Sequence, residues 1–504
     1  SALASIAAAR ARVPEPKLRE YLLWLDIEAR NQSGARAEQL FERERDLAKR
    51  SALFDEEWRA EVGIAELYAK RNDSKRASAL YRESEQALER SLRAIPFFEG
   101  RTHFLASRER GVQSFLSFLL SARDLPEAYA LVRRSRARVL RTLERQARAA
   151  SLPLERRSAY EKALEEYRQV RQAIDTEAAT DWQKSRVELE VAQSERAKRT
   201  EALARLLDNA LSSLGDAPDA ALAEDPPQAL SLASYEIGGR TYVFSKRSDV
   251  SALVVPPEME ESFDVGRALG DRLRGVEYVH VHSAPFFGKE RVRRTIPADI
   301  PVEFGVGLGP RDQTNREARA LVSVDPRSDL PEARREAEWV VRVLSPLYRV
   351  ERASGAENTH AFLTNELERT TFFHYAGHGE FAGIDGWDAS FPLANDGRFS
   401  VGDVLGLRQV PTAAVLFGCE GARTSGTVAE SLGIAQAFIV RGASVVLAPV
   451  ENVRDDRAAA YSRKFYDAFQ KTDAALPLRT RIRTAAAHVH VEGLESGAFR
   501  VLVP

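Results

Sequence analysis

The stretch AAVLFGCEGA, residues 413–422, decides how this chain of 504 residues is read, because it carries the only cysteine, Cys419. The run PTAAVLF that leads into it is short, apolar, rich in β-branched and aromatic side chains, and bounded by Pro411 and Gly418. That is the form of a buried parallel strand ending at a glycine turn. FFHYAGHGEF, residues 372–381, has the same form, with His378 standing before Gly379. Two such strands side by side would carry His378 and Cys419 to their carboxyl ends, where open α/β sheets build their sites.

A cysteine used in catalysis must reach the thiolate state near neutral pH, and a histidine within reach supplies the base and orders the attack. The glycines matter as well. Gly379 lets its backbone N–H approach a bound carbonyl, and the N–H of Cys419 can point at the same spot, giving a two-donor oxyanion hole. The competing reading makes Cys419 a buried small hydrophobe and His378 a turn residue, since free cysteine is among the most buried residue types.

Composition bounds the rest. With 44% hydrophobic and 29% charged residues the chain reads as ordinary globular protein of two to four domains. Its 73 basic residues balance 74 acidic ones, so no global electrostatic footprint for nucleic acid exists. Apolar runs such as GIAQAFIVRGASVVLAPV are broken by Arg441 and glycines, so no membrane association is expected. A single cysteine excludes an internal disulfide and suits a reducing compartment, the bacterial cytoplasm being the expected location. The chain begins SALASIAAARARV and its one methionine is Met259, which reads as a piece of a longer protein whose targeting signals would lie upstream. No cofactor and no metal is called for.

Along the chain the expectation is multidomain, α then α/β. Residues 1–150 carry apolar positions at three- and four-residue spacing, as in helices. Within them, GIAELYAKRNDSKRASALYRES pairs Ile64, Ala65 and Tyr68 with Ala77 and Tyr81 across a polar turn, in the manner of a tetratricopeptide repeat. Weaker copies surround Ala37 and Phe41, and Ala128 and Val132. Such helix pairs make an extended surface for a protein partner. Residues 151–214 read as long charged helices forming an antiparallel hairpin, and 215–229, with three prolines, as a linker. The arginine-rich stretch RRSRARVLRTLERQAR, residues 133–148, raises a nucleic-acid reading. Acidic neighbours and spread-out arginines favour a solvated face instead, so no direct nucleic-acid contact is expected.

Beyond 229 the period switches to strands. SYEIGGRTYVFSKRSDVSALVVP reads as a hairpin with a Gly-Gly turn, followed by strands in VEYVHVHSA, ARALVSVDP, TTFFHYAGHG, AAVLFGCEG and ASVVLAPVEN. Helical segments LPEARREAEWVVRVL, SLGIAQAFIV and RAAAYSRKFYDAFQ alternate with the later ones, which predicts a mostly parallel sheet covered by helices on both faces. The expected divisions are 230–345 and 346–504.

From about residue 228 onward the chain resembles the CHAT family, the caspase-like domain commonly found after tetratricopeptide repeats in bacteria, with separase as a related eukaryotic protease. DPRSDLPEARREAE looks like that family's DP…LP.A..EA segment, FFHYAGHGEF like its HFA.HG.F, and AAVLFGCEGA like its VVLSACESG. LGIAQAFIVRGASVVLAPVENVRDDRAAAYSRKFYDAF parallels its helix, glycine turn, strand and returning helix, SGAFRVLVP its closing strand, and EAYALVRRSRARVLRTLERQ its last repeat.

The resemblance implies a pseudo-protease-like part over 230–345, a catalytic part over 346–504, and peptide-bond hydrolysis through a thioester, with His378 as the base and Cys419 as the nucleophile of a dyad. It assigns no third carboxylate. His374 fits the same pattern but is read as structural. Proteases of this fold read the P1 side chain in a pocket near the catalytic strands, for which the available acids are Asp385, Asp388, Glu451, Asp455 and Asp456; a carboxylate there would select Arg or Lys. Two departures weaken that selection: Glu451 stands where the family has tryptophan, and Phe417 where some basic-specific relatives carry aspartate. The family implies a specific protein substrate, a regulatory protein on the repeats and a role in defence. The alternative is a catalytically silent scaffold.

Overall fold

The computed structural model describes residues 18–51, 53–94, 105 and 107–150, scattered positions from 155 to 199, and 223–504 apart from 257–263, 283–295, 298, 310–316, 382–388, 419–420, 423–432 and 495–496. Most of the charged stretch 151–214 and of the linker 215–229 therefore lies outside the described residues. The chain forms two compact units, one drawn from residues 1–101, 107–123 and 151–217, the other from 102–106, 124–150 and 218–504.

The first unit is helical. Helices α1 (Leu18–Arg30), α2 (Gly34–Arg50), α3 (Phe54–Lys70), α4 (Ser74–Ala94) and α5 (Glu109–Ser121) pack in chain order. Leu22, Leu25 and Ala29 of α1 and Ala37, Leu40, Phe41 and Ala48 of α2 are buried at helical spacing. Gly63 admits the close α2–α3 approach: a β-carbon there would lie 2.5 Å from the Phe41 ring. Of the residues paired across the turn in sequence, Ile64, Ala65, Ala77 and Tyr81 are buried. Tyr68 is not; it donates to Glu38 of α2, under Arg71 and Arg76. Tyr81 points onward, stacking on Phe115 of α5 at 4.8 Å and bonding Ser114 at 2.8 Å.

The second unit is built on an eleven-stranded sheet. Its strands are β1 (Ala229–Ile237), β2 (Arg240–Lys246), β3 (Val250–Val255), β4 (Tyr278–His282), β5 (Val302–Gly305), β6 (Arg319–Val324), β7 (Arg349–Ser354), β8 (Phe372–Ala376), β11 (Ala413–Leu416), β12 (Val445–Pro449) and β13 (Phe499–Val503), with β9 (Ser390–Pro392) and β10 (Arg398–Ser400) as a separate hairpin. Their order across the sheet is β3, β2, β1, β4, β5, β13, β12, β11, β8, β6, β7. The pairings β1 with β2, β2 with β3, and β12 with β13 are antiparallel and the rest parallel. Gly238 and Gly239 both have positive φ, 56° and 76°, which gives the Gly-Gly hairpin the twist its strands need.

Helices cover both faces because the central strands are apolar on both. On one face Val322, Phe372, Val415 and Leu447 share a core with Ala337 and Val340 of α8 (Pro331–Leu344) and with Phe465, Tyr466 and Phe469 of α12 (Asp455–Lys471). Residues between them in sequence point the other way, where Phe373 meets Phe438 of α11 (Ile434–Arg441). Each such large side chain contributes about 1.5–3 kcal/mol on burial. Helix α13 (Leu478–Ala487) adds Ile482 and Ala485 to the first core, and the shorter helices α7 (Val265–Leu269), α9 (His360–Leu367) and α10 (Val401–Gly406) belong to the same unit.

The arginine-rich stretch is not the solvated face expected of it. It lies in α6 (Leu125–Ala150), which packs against β1, β3 and α11, with Arg133, Arg136, Arg138 and Arg141 buried. Arg133 reaches Asp225 at 3.2 Å and Arg136 lies over the Tyr235 ring. The acid that meets Arg133 is 92 residues away in sequence, which local charge patterning cannot register, whereas Arg134 pairs with Glu127 of the same helix at 2.8 Å.

Candidate active site

Strands β8 and β11 are parallel neighbours, with Leu416 opposite Tyr375. His378 and Cys419 each follow their paired residue by three positions in sequence. Cys419 itself lies outside the described residues, as do Asp385 and Asp388. The ladder continues past both strands: Phe417 N–H donates to Tyr375 O at 2.7 Å, and Asp325 N–H donates to Ala376 O at 2.7 Å from the β6 side.

The two strand ends lean on one aromatic pair. Tyr375 and Phe391 stack at 4.0 Å. The Tyr375 hydroxyl donates to the His378 carbonyl at 2.8 Å, and a β-carbon on Gly377 would lie 2.6 Å from that hydroxyl. One on Gly418 would lie 3.0 Å from Phe391 and 3.2 Å from Tyr375. Beyond the cysteine, Ala422 N–H donates to Pro449 O of β12 at 2.8 Å, and Ala435 N–H of α11 donates to Gly421 O at 3.1 Å. The backbone is thus held on either side of residues 419–420.

His378 is partly exposed, and its Nε2 lies 2.9 and 3.1 Å from the two carboxylate oxygens of Asp329. Asp329 sits in the connection between β6 and α8 and received no role from the sequence. The signal available was the order of strands: β6 pairs with β8, so its trailing loop and the end of β8 share one edge. Gly379 is half-buried. Next to it, Glu380 pairs antiparallel with Ser390 and is flanked by Arg398 at 3.4 Å and Arg327 at 3.9 Å.

The other singled-out residues are placed as follows. His374 is fully buried on the α8 and α12 face, its Nδ1 2.9 Å from the Tyr466 hydroxyl and its Nε2 3.3 Å from Glu336. Asp455 turns its carboxylate to the start of α8, accepting from Glu332 N–H at 3.1 Å, and burial raises its pKa. Asp456 is exposed between Arg454 and Arg457. Glu451 lies half-buried just after β12. Phe417 packs against Phe499 and His374 in the core, so a carboxylate at that position is replaced by apolar contact. Among the described residues no group of three or more His, Cys, Asp or Glu is arranged to hold a metal ion, and no helix is long and apolar enough to cross a membrane.

In sequence order a helical unit precedes a mostly parallel sheet with helices on both faces, and a glycine-flanked histidine follows one of its central strands. Residues 275–490 match the CHAT domain family model. Strands β1 to β3 precede the matched span yet belong to the same sheet. Among solved structures, two of the Saccharomyces cerevisiae separase–securin complex are similar to this chain at 9% identity, with TM-scores of 0.41 and 0.42; 96% of this chain and 49% of that chain are covered in each. The chain therefore spans about half the length of those structures. The complex of Porphyromonas gingivalis RgpB pro- and mature domains is similar at 10% identity and a TM-score of 0.31, covering 47% of this chain and 67% of that one. No curated protein sequence matches.

Proposed function

We propose that this protein is a cysteine endopeptidase in which Cys419 is the nucleophile and His378 its acid–base partner. The sulfur of Cys419, its proton taken by His378, attacks a peptide carbonyl carbon. The tetrahedral oxyanion is met by the N–H groups of Gly379 and Cys419. His378 returns the proton to the leaving amine, a thioester forms, and water hydrolyses it. The observation that carries this reading is the register of β8 and β11, in which Tyr375 lies opposite Leu416, with His378 and Cys419 each three positions further along the sequence.

The substrate in this reading is a protein with one favoured cleavage site, in a defence or cell-death setting in the bacterial cytoplasm. The first unit is a tetratricopeptide-like platform whose protein partner controls access to the site. The test is a comparison of new N-termini after the chain or its Cys419→Ala form is incubated with proteins encoded beside it. Cleavages seen only with the intact cysteine support the peptidase. Their complete absence, together with slow alkylation of Cys419 that His378→Ala does not change, would favour a silent scaffold.

A further inference from the structure

We propose that Asp329 is a positioning residue for His378, fixing the imidazole so that Nδ1 is the nitrogen presented to the thiol and the leaving group. This rests on the peptidase reading above and adds a third member to its dyad. An ionised carboxylate only accepts hydrogen bonds, so the nitrogen it holds must carry the proton. With Nε2 placed 2.9 and 3.1 Å from Asp329, the neutral ring is the Nε2–H tautomer, and its lone pair lies on Nδ1. Among the described residues Nδ1 has no partner.

An exposed ion pair is ordinarily loose and weak, because water screens it and two side chains must be ordered to hold it. The His378 and Asp329 side chains are 38% and 54% exposed. What distinguishes this pair is the backbone beneath it. Asp325 is buried and bonds to both partners' segments: its N–H donates to Ala376 O at 2.7 Å, two residues before His378, and its Oδ1 accepts from the N–H groups of Asp329 and Leu330 at 2.9 and 3.0 Å. Arg334 neutralises Asp325 at 2.9 Å. A closed ring results, running from Ala376 through Asp325 to Asp329, across to the imidazole, and back along Gly377.

The loop that completes the ring takes an uncommon backbone path. Asp325 and Ser328 have φ of 43° and 61°, a region most residues avoid. Gly355 leaves room for it, since a β-carbon there would lie 2.8 Å from Ser328 Oγ. The loop end is pinned further by buried Asn358, which donates to Val324 O at 3.1 Å and accepts from Ser323 at 2.6 Å. So much buried fixing of one exposed carboxylate is accounted for if its orientation matters to the ring it holds.

The test pairs a reading of the ring with a reading of the thiol, both on the full chain. Nitrogen-15 NMR of histidine-labelled protein should give His378 as the Nε2–H tautomer, and Asp329→Ala should turn it into a mixture. Iodoacetamide alkylation of Cys419, the only cysteine, should slow about tenfold in Asp329→Ala and by less in Asp329→Asn, which keeps an acceptor without the charge. An unchanged tautomer and alkylation rate in Asp329→Ala would overturn the proposal. A tautomer shift in Asp329→Ala, alongside alkylation that is slow in the unmodified chain and indifferent to His378→Ala, would instead overturn the peptidase and leave Asp329 as the residue that orients His378.

Discussion

Tyr375 and Gly377 fit so closely that a β-carbon on the glycine would lie 2.6 Å from the tyrosine hydroxyl, 2.7 Å from its ring and 3.0 Å from Pro326. The tyrosine cannot retreat, because it is stacked on Phe391 and bonded to His378 O. Gly377→Ala should therefore move the histidine turn, destabilising the chain by about 1–3 kcal/mol. The alkylation rate of Cys419 should lose its dependence on His378. Tyr375→Phe removes only the hydroxyl and should cost about 1 kcal/mol in thermal unfolding, with a smaller loss of thiol reactivity.

In the first unit the matching contact is Gly63 against Phe41. Gly63→Ala should lower stability by about 1–3 kcal/mol, since the ring lies 2.5 Å from the new carbon. Adding Phe41→Leu should recover part of that loss, although Phe41→Leu alone is destabilising. Denaturant unfolding of the four proteins gives the coupling, and strictly additive effects would contradict the contact.

Alkali should loosen the first unit. Burial pushes Glu44 up to about 8, against the pull of Arg59, and Glu61 up to about 7, against Lys49. The folded state thus keeps protons that the unfolded chain releases above the ordinary value of 4.5. Stability from these groups is greatest at or below that value and falls as pH rises towards 7 and 8, by at most about 1.4 kcal/mol per pH unit for each. Thermal unfolding should show lower stability at pH 9 than at pH 6, and Glu44→Gln should flatten the difference.

Acid should act on the second unit, through Asp225. Its carboxylate takes His282 Nε2 at 2.7 Å, Lys246 at 2.8 Å, Tyr129 at 2.9 Å and Arg133 at 3.2 Å. These partners hold its pKa below the ordinary 3.8 despite burial, while burial and neighbouring His280 push His282 down to about 3. Below about 6.5 the unfolded imidazole gains a proton that the buried one refuses, and below 3.8 the carboxylate follows in the same direction, so stability falls with pH. Asp225→Ala strands the buried Arg133 guanidinium and should cost about 3–5 kcal/mol, read as a lowered unfolding midpoint.

Strands β8, β11 and β12 were legible in the sequence because each is a short apolar run closed by glycine or proline, and the Gly-Gly turn announced β1 and β2. Strand β5 was not. Its VEFG carries Glu303, which reads as a surface residue until His280 at 2.8 Å and Arg483 at 3.0 Å are brought to it by the fold. Strand β7, RVERAS, lies at the sheet edge, where exposed charges are tolerated and hide the strand pattern. Asp329 escaped for a similar reason, since its partner is a histidine 49 positions away and nothing within its own segment reveals the contact. The burial of Arg133 in α6 escaped because its partner Asp225 is 92 residues away.

Strand β13 follows the other described strands in sequence, yet it lies in the interior of the sheet, with Leu502 opposite both Val446 of β12 and Phe304 of β5. Among the described residues the strands on its two sides have no other ladder joining them. Unpairing this one strand would therefore part the sheet into two blocks, with β8 and β11, the strands that lead into the candidate site, together in one of them.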